Sequence, residues 1–388
     1  MRIALVEEDF APAGRGTMSA LLARPLEELA EDLAVFGHVV EHVRMSHPAV
    51  RSLTDAEHGP RDTTSSGGVR SIAAAPGREL SVLRAFEPDA VLAVGVGAGR
   101  RLDDLMPALR ARWVWSPGAD LRLDDAGRPW WTPETAARVL VATRAELDAF
   151  VRAGVPRSLC DVVPWNLAAR VPVWRSASDQ PRVVRTVLTA AGPGGDGVAD
   201  VVRVLAVHQG LRLVVAVDSS RAGGEDALNP WLPLARGLGV TERVRVVPVS
   251  SPEELRAVLL RAGLLVSVPR EEAQTGLLAA AMACGLPVVA SDVDDVRNIV
   301  ESGCSGLVLP PADGRRLART LAVVCRDASC RTQWARAARR RSLDLFSPSV
   351  TAQAVAEALA TPAPGARIGH REPRHGRTGE ALGAVATG

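Results

Sequence analysis

The sequence predicts an α/β protein made of two doubly wound, Rossmann-like domains that face one another across a cleft. Three observations carry that expectation. Short apolar runs alternate with helical segments along nearly the whole chain. Most of those runs are continuous rather than alternating, as in VLAV and LVVAVD, the pattern of strands in a parallel sheet covered on both faces. A polar, proline-bearing stretch, RSASDQPR at Arg175 to Arg182, interrupts the pattern, which then restarts. At 388 residues the chain exceeds one ordinary core and fits two domains and a tail. The expected division is residues 1–175, a linker at 176–182, a second domain at 183–345, a helix at 346–360 returning to the first domain, and a disordered tail at 361–388.

In the first half, Arg2 to Val6 reads as a strand, followed by the loop EEDFAPAGRGTMS and a helix ending at Gly37. Gly14, Arg15 and Gly16 in that loop suit either a backbone approach to a phosphate or a plain tight turn. His38 to Met45 is a second strand, and Ser46 to Gly68 is a long polar loop. A helix at Arg78 to Phe86 leads through Glu87, Pro88 and Asp89 into the apolar strand AVLAVGVG. A helix over Arg101 to Arg112 and the strand RWVWS follow. Trp115, Trp130 and Trp131 can stack on a ring of a ligand, but large aromatics beside loops more often pin those loops to the core. Arg138 to Ala142 (strand), Arg144 to Ala153 (helix) and Asp161 to Pro164 (strand) complete this half.

In the second half, strand VVRTVLTAA, loop GPGGDG and helix VADVVRVLAVHQ are followed by strand LRLVVAVD and a helix near Trp231 to Leu238. Strand RVRVVPV, helix Pro252 to Ala262 and strand LLVSV come next. Val266 to Pro311 then holds two strand-to-helix crossings: an acidic loop, a small-residue helix closed by Gly285, strand Pro287 to Ser291, a short helix and a Gly-punctuated last strand. In open parallel sheets ligands sit where strands end and helices begin, because the N–H groups and the positive dipole end of a helix face them there. Glu272 to Leu277 is therefore the expected binding stretch. Arg315 to Val324, Arg331 to Ser342 and Ser349 to Leu359 read as helices.

The basic excess of +2 gives no general reason to expect nucleic acid or a membrane surface. The N-terminus enters MRIALVEE, a strand pattern without a signal segment, and no apolar run reaches membrane-spanning length, so a cytoplasmic protein is expected. Five scattered cysteines without CxxC spacing read as reduced thiols, and no metal site is expected. All 46 basic residues are Arg, so a Schiff-base lysine and a lysine grip on phosphate are excluded.

The stretch EAQTGLLAAAMACGLPVVASDV, followed by VESGCSGLVLPPAD and RLARTL, resembles the GT-B-fold glycosyltransferases of the family 4, or group 1, type. GHVVEHV at Gly37, PDAVLA at Pro88, ARVLVATRAELDAFVRAGVP at Ala137, DVVP at Asp161, LGVTERVRV at Leu238 and PEELR at Pro252 keep the family order up to about residue 360. The resemblance implies metal-independent, configuration-retaining transfer of a sugar from a nucleotide-diphosphate sugar, a co-substrate rather than a resident cofactor, to an acceptor hydroxyl. The donor would lie in the C-terminal domain. Glu272 would stand near the sugar, and Thr275, Gly276 and Leu277 with Gly192 and Gly194 would face the donor phosphates. Gly14, Arg15 and Gly16 would approach from the other domain.

Several positions depart from the family pattern. The second carboxylate, eight positions after Glu272, is Ala280, and Pro193 and Asp196 stand where basic residues meet the phosphates. Pro117 stands where a histidine is usual, and Asp294, Asp295 and Asn298 replace Gly-Gly and Glu. The resemblance therefore leaves three readings: an active transferase, a catalytically silent relative that activates a partner glycosyltransferase, and an epimerase of the same fold. The expected partners are a nucleotide sugar, a small-molecule or glycan acceptor and, for the silent reading, the partner enzyme.

Overall fold

A computed structural model describes residues 1–9, 26–46, 63–64, 69–74, 77–109, 111–117, 128–129, 131–164, 186–191, 197–218, 230–270, 274–293 and 295–361. The first sheet comprises β1 (Arg2–Asp9), β2 (Val39–Ser46), β3 (Thr63–Thr64), β4 (Arg70–Ala74), β5 (Ala90–Val94), β6 (Arg112–Ser116), β7 (Arg138–Val141) and β8 (Cys160–Val162). Its order is β3-β4-β2-β1-β5-β6-β7-β8, with only the short β3 antiparallel to its neighbour. The helices of this half are α1 (Leu26–Val35), α2 (Glu79–Phe86), α3 (Val96–Leu105) and α4 (Arg144–Arg152).

The second sheet runs β11-β10-β9-β12-β13-β14, parallel throughout. Its strands are β9 (Thr186–Ala190), β10 (Arg212–Asp218), β11 (Val244–Val249), β12 (Leu264–Ser267), β13 (Val288–Ser291) and β14 (Gly306–Leu309). Between and after them lie α5 (Val198–Val207), α6 (Leu232–Gly237), α7 (Pro252–Arg261), α8 (Thr275–Ala283), α9 (Val296–Ile299), α10 (Gly314–Arg326), α11 (Ala328–Phe346) and α12 (Pro348–Ala360).

Each sheet is covered on both faces, which is why its strands are apolar throughout. In the second domain one face packs Leu188, Ala216 and Leu265 against α7, α8 and α11. The other packs Val187, Val215 and Val266 against α5, α6 and α10. In the first domain Ile3, Leu5 and Leu92 pack under α1 and α12, and Ala4, Val91 and Ala93 under α2, α3 and α4. Helix starts follow the local chemistry: Thr143, Ser251, Asp313 and Asp327 each accept an N–H from the first turn of α4, α7, α10 and α11.

The chain crosses back between domains at Ser347. Its extended conformation (φ −64°, ψ 144°) and the following proline end α11 and start α12. Helix α12 lies on the first domain, in contact with α1, β5 and β6, and the Arg112 guanidinium donates to the Ala360 carbonyl at 2.6 Å.

One strand lies where the sequence indicated no element, and one boundary needs correction. Residues 70–74, between the long polar loop and the helix that follows, form β4, paired with β2 at Glu41–Arg70 and Met45–Ala74. The strand over AVLAVGVG stops at Val94, and the next helix begins at Val96 rather than Arg101. One glycine of this helix, Gly99, serves close packing. A Cβ on Gly99 of α3 would lie 2.4 Å from Trp115 Nε1 and 2.8 Å from the Trp131 ring. Trp115 is fully buried, donates to the Gly95 carbonyl at 2.9 Å, and meets Trp131 and Phe150 edge-on. Trp131 thus packs on the core that holds Trp115; Trp130 lies outside the described residues. Gly99→Ala is expected to cost about 2–3 kcal/mol, because neither indole has room to retreat. Denaturant unfolding measures it, and a loss below about 0.5 kcal/mol would show that the packing is looser than drawn.

Candidate functional site

Strands β9 and β12 are neighbours in the second sheet, although β10 and β11 separate them in sequence. The helices that follow them, α5 and α8, therefore leave toward opposite faces, and a crevice opens at the carboxyl ends of the two strands. The turns on either side of it touch. Gly197, which opens α5 with φ +82°, sits so close to the end of β12 that a Cβ there would lie 2.5 Å from the Val268 carbonyl oxygen. On the other flank the Ser291 hydroxyl, at the end of β13, donates to the Pro269 carbonyl at 2.5 Å. The segment after β12 is held from both sides.

Thr275, Gly276 and Leu277 form the first turn of α8; Thr275 is half-buried and the other two are buried. Gln274 precedes them, and its side chain makes no capping hydrogen bond to the N–H groups of this turn. Helix α8 is apolar all round and cannot shift easily: Gly276 to Met282 are buried between the sheet and α11, and the Ser342 hydroxyl donates to the Ala279 carbonyl at 3.2 Å. Ala280 is fully buried in that contact and offers no hydrogen-bonding side chain.

Arg270 was not singled out by the sequence reading. Its side chain, half exposed at 50%, follows Pro269 directly and reaches Asp200 in the first turn of α5 at 3.5 Å; Arg203 also pairs with Asp200, at 2.7 Å. A basic residue between the apolar strand and the acidic pair Glu271 and Glu272 was the available signal. A positive charge thus stands beside the first turn of α5, on a neighbouring turn. Glu272, Gly192, Gly194, Pro193 and Asp196 lie outside the described residues.

In the first sheet β1 and β5 stand in the same relation, with α1 and α3 on opposite faces. Gly14, Arg15 and Gly16, in the loop leaving β1, lie outside the described residues. Near the carboxyl end of that strand His42 is fully buried, with Nε2 3.0 Å from Glu7 Oε1 and Nδ1 3.1 Å from the Ser71 hydroxyl. This three-strand polar set also escaped the sequence reading, because its members lie on β1, β2 and β4. Pro117, just past β6, is buried. The carboxyl ends of the two sheets face each other: Ala145, shortly beyond β7, donates its N–H to Asp295 Oδ2, beyond β13, at 3.1 Å.

Among the described residues no group of three or more His, Cys, Asp or Glu side chains is arranged to hold a metal ion. No helix among them is long and apolar enough to cross a membrane. The five cysteines are unbridged, with Cys160 and Cys284 buried and Cys304 exposed.

Residues 198–327, which hold β12, α5 and α8, match the family model described as glycosyl transferases group 1. A D-inositol 3-phosphate glycosyltransferase of Salinispora tropica is 36% identical over 130 residues, 33% of this chain and 27% of that protein. One of Nocardia farcinica is 32% identical over 225 residues, 58% of this chain and 42% of that protein. These matches thus span between about a quarter and two fifths of the relatives' own length. Among solved structures, sucrose-phosphate synthase from Thermosynechococcus elongatus has a TM-score of 0.66 at 18% identity, covering 92% of this chain and 98% of that one. Anabaena HepE in complex with UDP has a TM-score of 0.64 at 17% identity, covering 93% and 100%. Residues 198–327 are thus similar to the group 1 glycosyl transferases, and the whole chain shares the two-domain GT-B fold of these solved structures.

Proposed function

We propose that this protein transfers a sugar from a nucleotide-diphosphate sugar to an acceptor hydroxyl, with retention of configuration and without a metal ion, in the cleft between its domains. The observation that carries the reading is the crevice at the switch point between β9 and β12, onto which the first turns of α5 and α8 open, with β12, α5 and α8 inside the family-matched segment. Charge that builds on a leaving diphosphate is met there by the N–H groups of Thr275, Gly276 and Leu277 and by the dipole of α8. Arg270 adds a cation from the adjacent turn. Glu272, two residues beyond Arg270, is the carboxylate for the positive character that develops on the sugar. Gly192 and Gly194 let the backbone approach the diphosphate, and Gly14, Arg15 and Gly16 close over it from the first domain. Anabaena HepE, the structural relative solved with UDP, has also been solved with UDP-glucose, which agrees with a nucleotide sugar as the co-substrate. The acceptor is a small molecule or a glycan, the resident cofactors are none, and the site of action is the cytoplasm.

Calorimetric titration of the purified protein with UDP, GDP, UDP-glucose and GDP-mannose, followed by a transfer assay on the binders, tests the proposal. Micromolar to millimolar binding of one donor and its turnover are the expected results. Absence of binding by any nucleotide sugar would remove the enzyme reading. Binding without turnover would instead favour the silent relative acting on a partner glycosyltransferase.

A further inference from the structure

The three positions beyond β13 that depart from the family pattern have a physical role within the fold. Asp294 lies outside the described residues, but Asp295 is 6% exposed and sits at the seam between the domains. Its Oδ2 accepts the Ala145 N–H in the first turn of α4 at 3.1 Å, and its Oδ1 accepts from the Asn298 side-chain amide at 2.7 Å. One carboxylate thus caps a helix that belongs to the other domain, while Asn298 fixes its orientation. The turn that presents it is stiffened by Arg297, whose guanidinium holds both oxygens of Asp292 at 2.6 and 2.5 Å.

The same helix start holds a second carboxylate. Glu146 completes a capping box with Thr143: its N–H donates to the Thr143 hydroxyl at 3.1 Å and its Oε2 accepts the Ala142 N–H at 2.7 Å. Two carboxylates from different domains therefore converge on one helix terminus. Of the other charges near this seam, Arg138 of β7 pairs with Asp161 of β8 at 2.7 Å, Arg297 is held by Asp292, Arg341 of α11 donates to the Asn298 and Ile299 carbonyls at 2.6 and 2.7 Å and stands 3.8 Å from Glu301, and Arg144 and Asp148 of α4 itself are exposed.

We propose that Asp295 and Glu146 form a latch between the domains, closed while the pair carries a proton and released when both carboxylates are charged. The extended Ser347, where the chain crosses back between α11 and α12, is a point about which the domains can turn. The inference rests on the fold and holds whether or not sugar transfer occurs.

Withdrawal from water at the seam, together with the Asp295 charge, pushes the Glu146 carboxyl up to about 7, although the backbone N–H groups of Ala142 and Thr143 pull it down. When the domains part, Glu146 is rehydrated and loses the Asp295 charge, and it returns toward its ordinary value of 4.5. The closed form thus binds the proton more tightly. Its advantage is present below the ordinary value and is lost as pH rises through about 7.

Small-angle scattering of the ligand-free protein between pH 5 and 8.5, with amide exchange at Ala145, tests the latch. The wild type is expected to expand, and the Ala145 amide to exchange at least tenfold faster beyond intrinsic pH dependence, as pH passes about 7. Glu146→Gln should remain compact across the range. Asp295→Asn, which still accepts the Ala145 N–H, should move the midpoint to lower pH, and Asp295→Ala should give fast exchange at every pH. A wild type whose dimensions and Ala145 exchange ignore pH, or a Glu146→Gln variant with an unchanged midpoint, would overturn the proposal. The two near-isosteric variants keep the test decisive should Asp295→Ala fail to fold.

Discussion

Gly197→Ala is expected to destabilise the second domain by about 3 kcal/mol or more and to weaken donor binding at least tenfold. Two costs coincide at this residue. Its φ of +82° with ψ of −32° is a conformation that a side chain tolerates poorly, worth about 1–3 kcal/mol by itself. The new methyl would also lie 2.5 Å from the Val268 carbonyl oxygen and 3.1 Å from the Pro269 nitrogen. Both are backbone atoms, and the Ser291 hydroxyl holds Pro269 from the far side, so the neighbour cannot swing away as a flexible side chain would. Relief requires the turns after β9 and β12 to move apart, and those turns form the crevice. A lower denaturant midpoint at unchanged m-value, together with weaker nucleotide titration, is the expected pair of results. A variant as stable as the parent would show that the two turns do not touch in solution.

Glu272→Ala is expected to lower kcat for sugar transfer by roughly 10² to 10⁴-fold, with little change in the affinity for nucleotide alone. A carboxylate beside the sugar is useful only as positive charge develops there, so its removal acts on the transition state rather than on the bound donor. Glu272→Gln keeps the shape and loses the charge, and should be as impaired as the alanine variant. If the glutamine variant retains full activity, the residue serves as a hydrogen-bond acceptor or not at all. With Ala280 buried and apolar, no second carboxylate on α8 is available to take over.

Much of the scaffold is legible in the residues. Continuous apolar runs mark buried parallel strands, and capping residues such as Thr143, Ser251 and Asp313 mark helix starts, because both depend on neighbours in sequence. Where local rules mislead, a distant contact is responsible. GVG reads as the end of the strand AVLAVGVG, yet Val96 starts a helix, in which Gly99 lets α3 approach Trp115 and Trp131. RSIAA is too short and too mixed to stand out as a strand, and it becomes one by pairing with β2.

The candidate site divides in the same way. Thr275, Gly276 and Leu277 are readable as a helix start after a buried strand, whereas Arg270 gains meaning only because Asp200 of α5 lies 3.5 Å away. The aspartate at 295 looked in sequence like the loss of a family feature, and in the fold it caps a helix of the other domain.

By itself, then, the sequence determined the two α/β domains, their family resemblance and the stretch around Glu272 as the site to inspect, because periodicity, glycine and proline punctuation and motif register are properties of contiguous residues. Only the tertiary structure decided that Gly197 meets Val268, that Arg270 stands beside the first turn of α5, and that Asp295 meets the start of α4. Those pairs are distant in the chain, and strand order and domain packing bring them together.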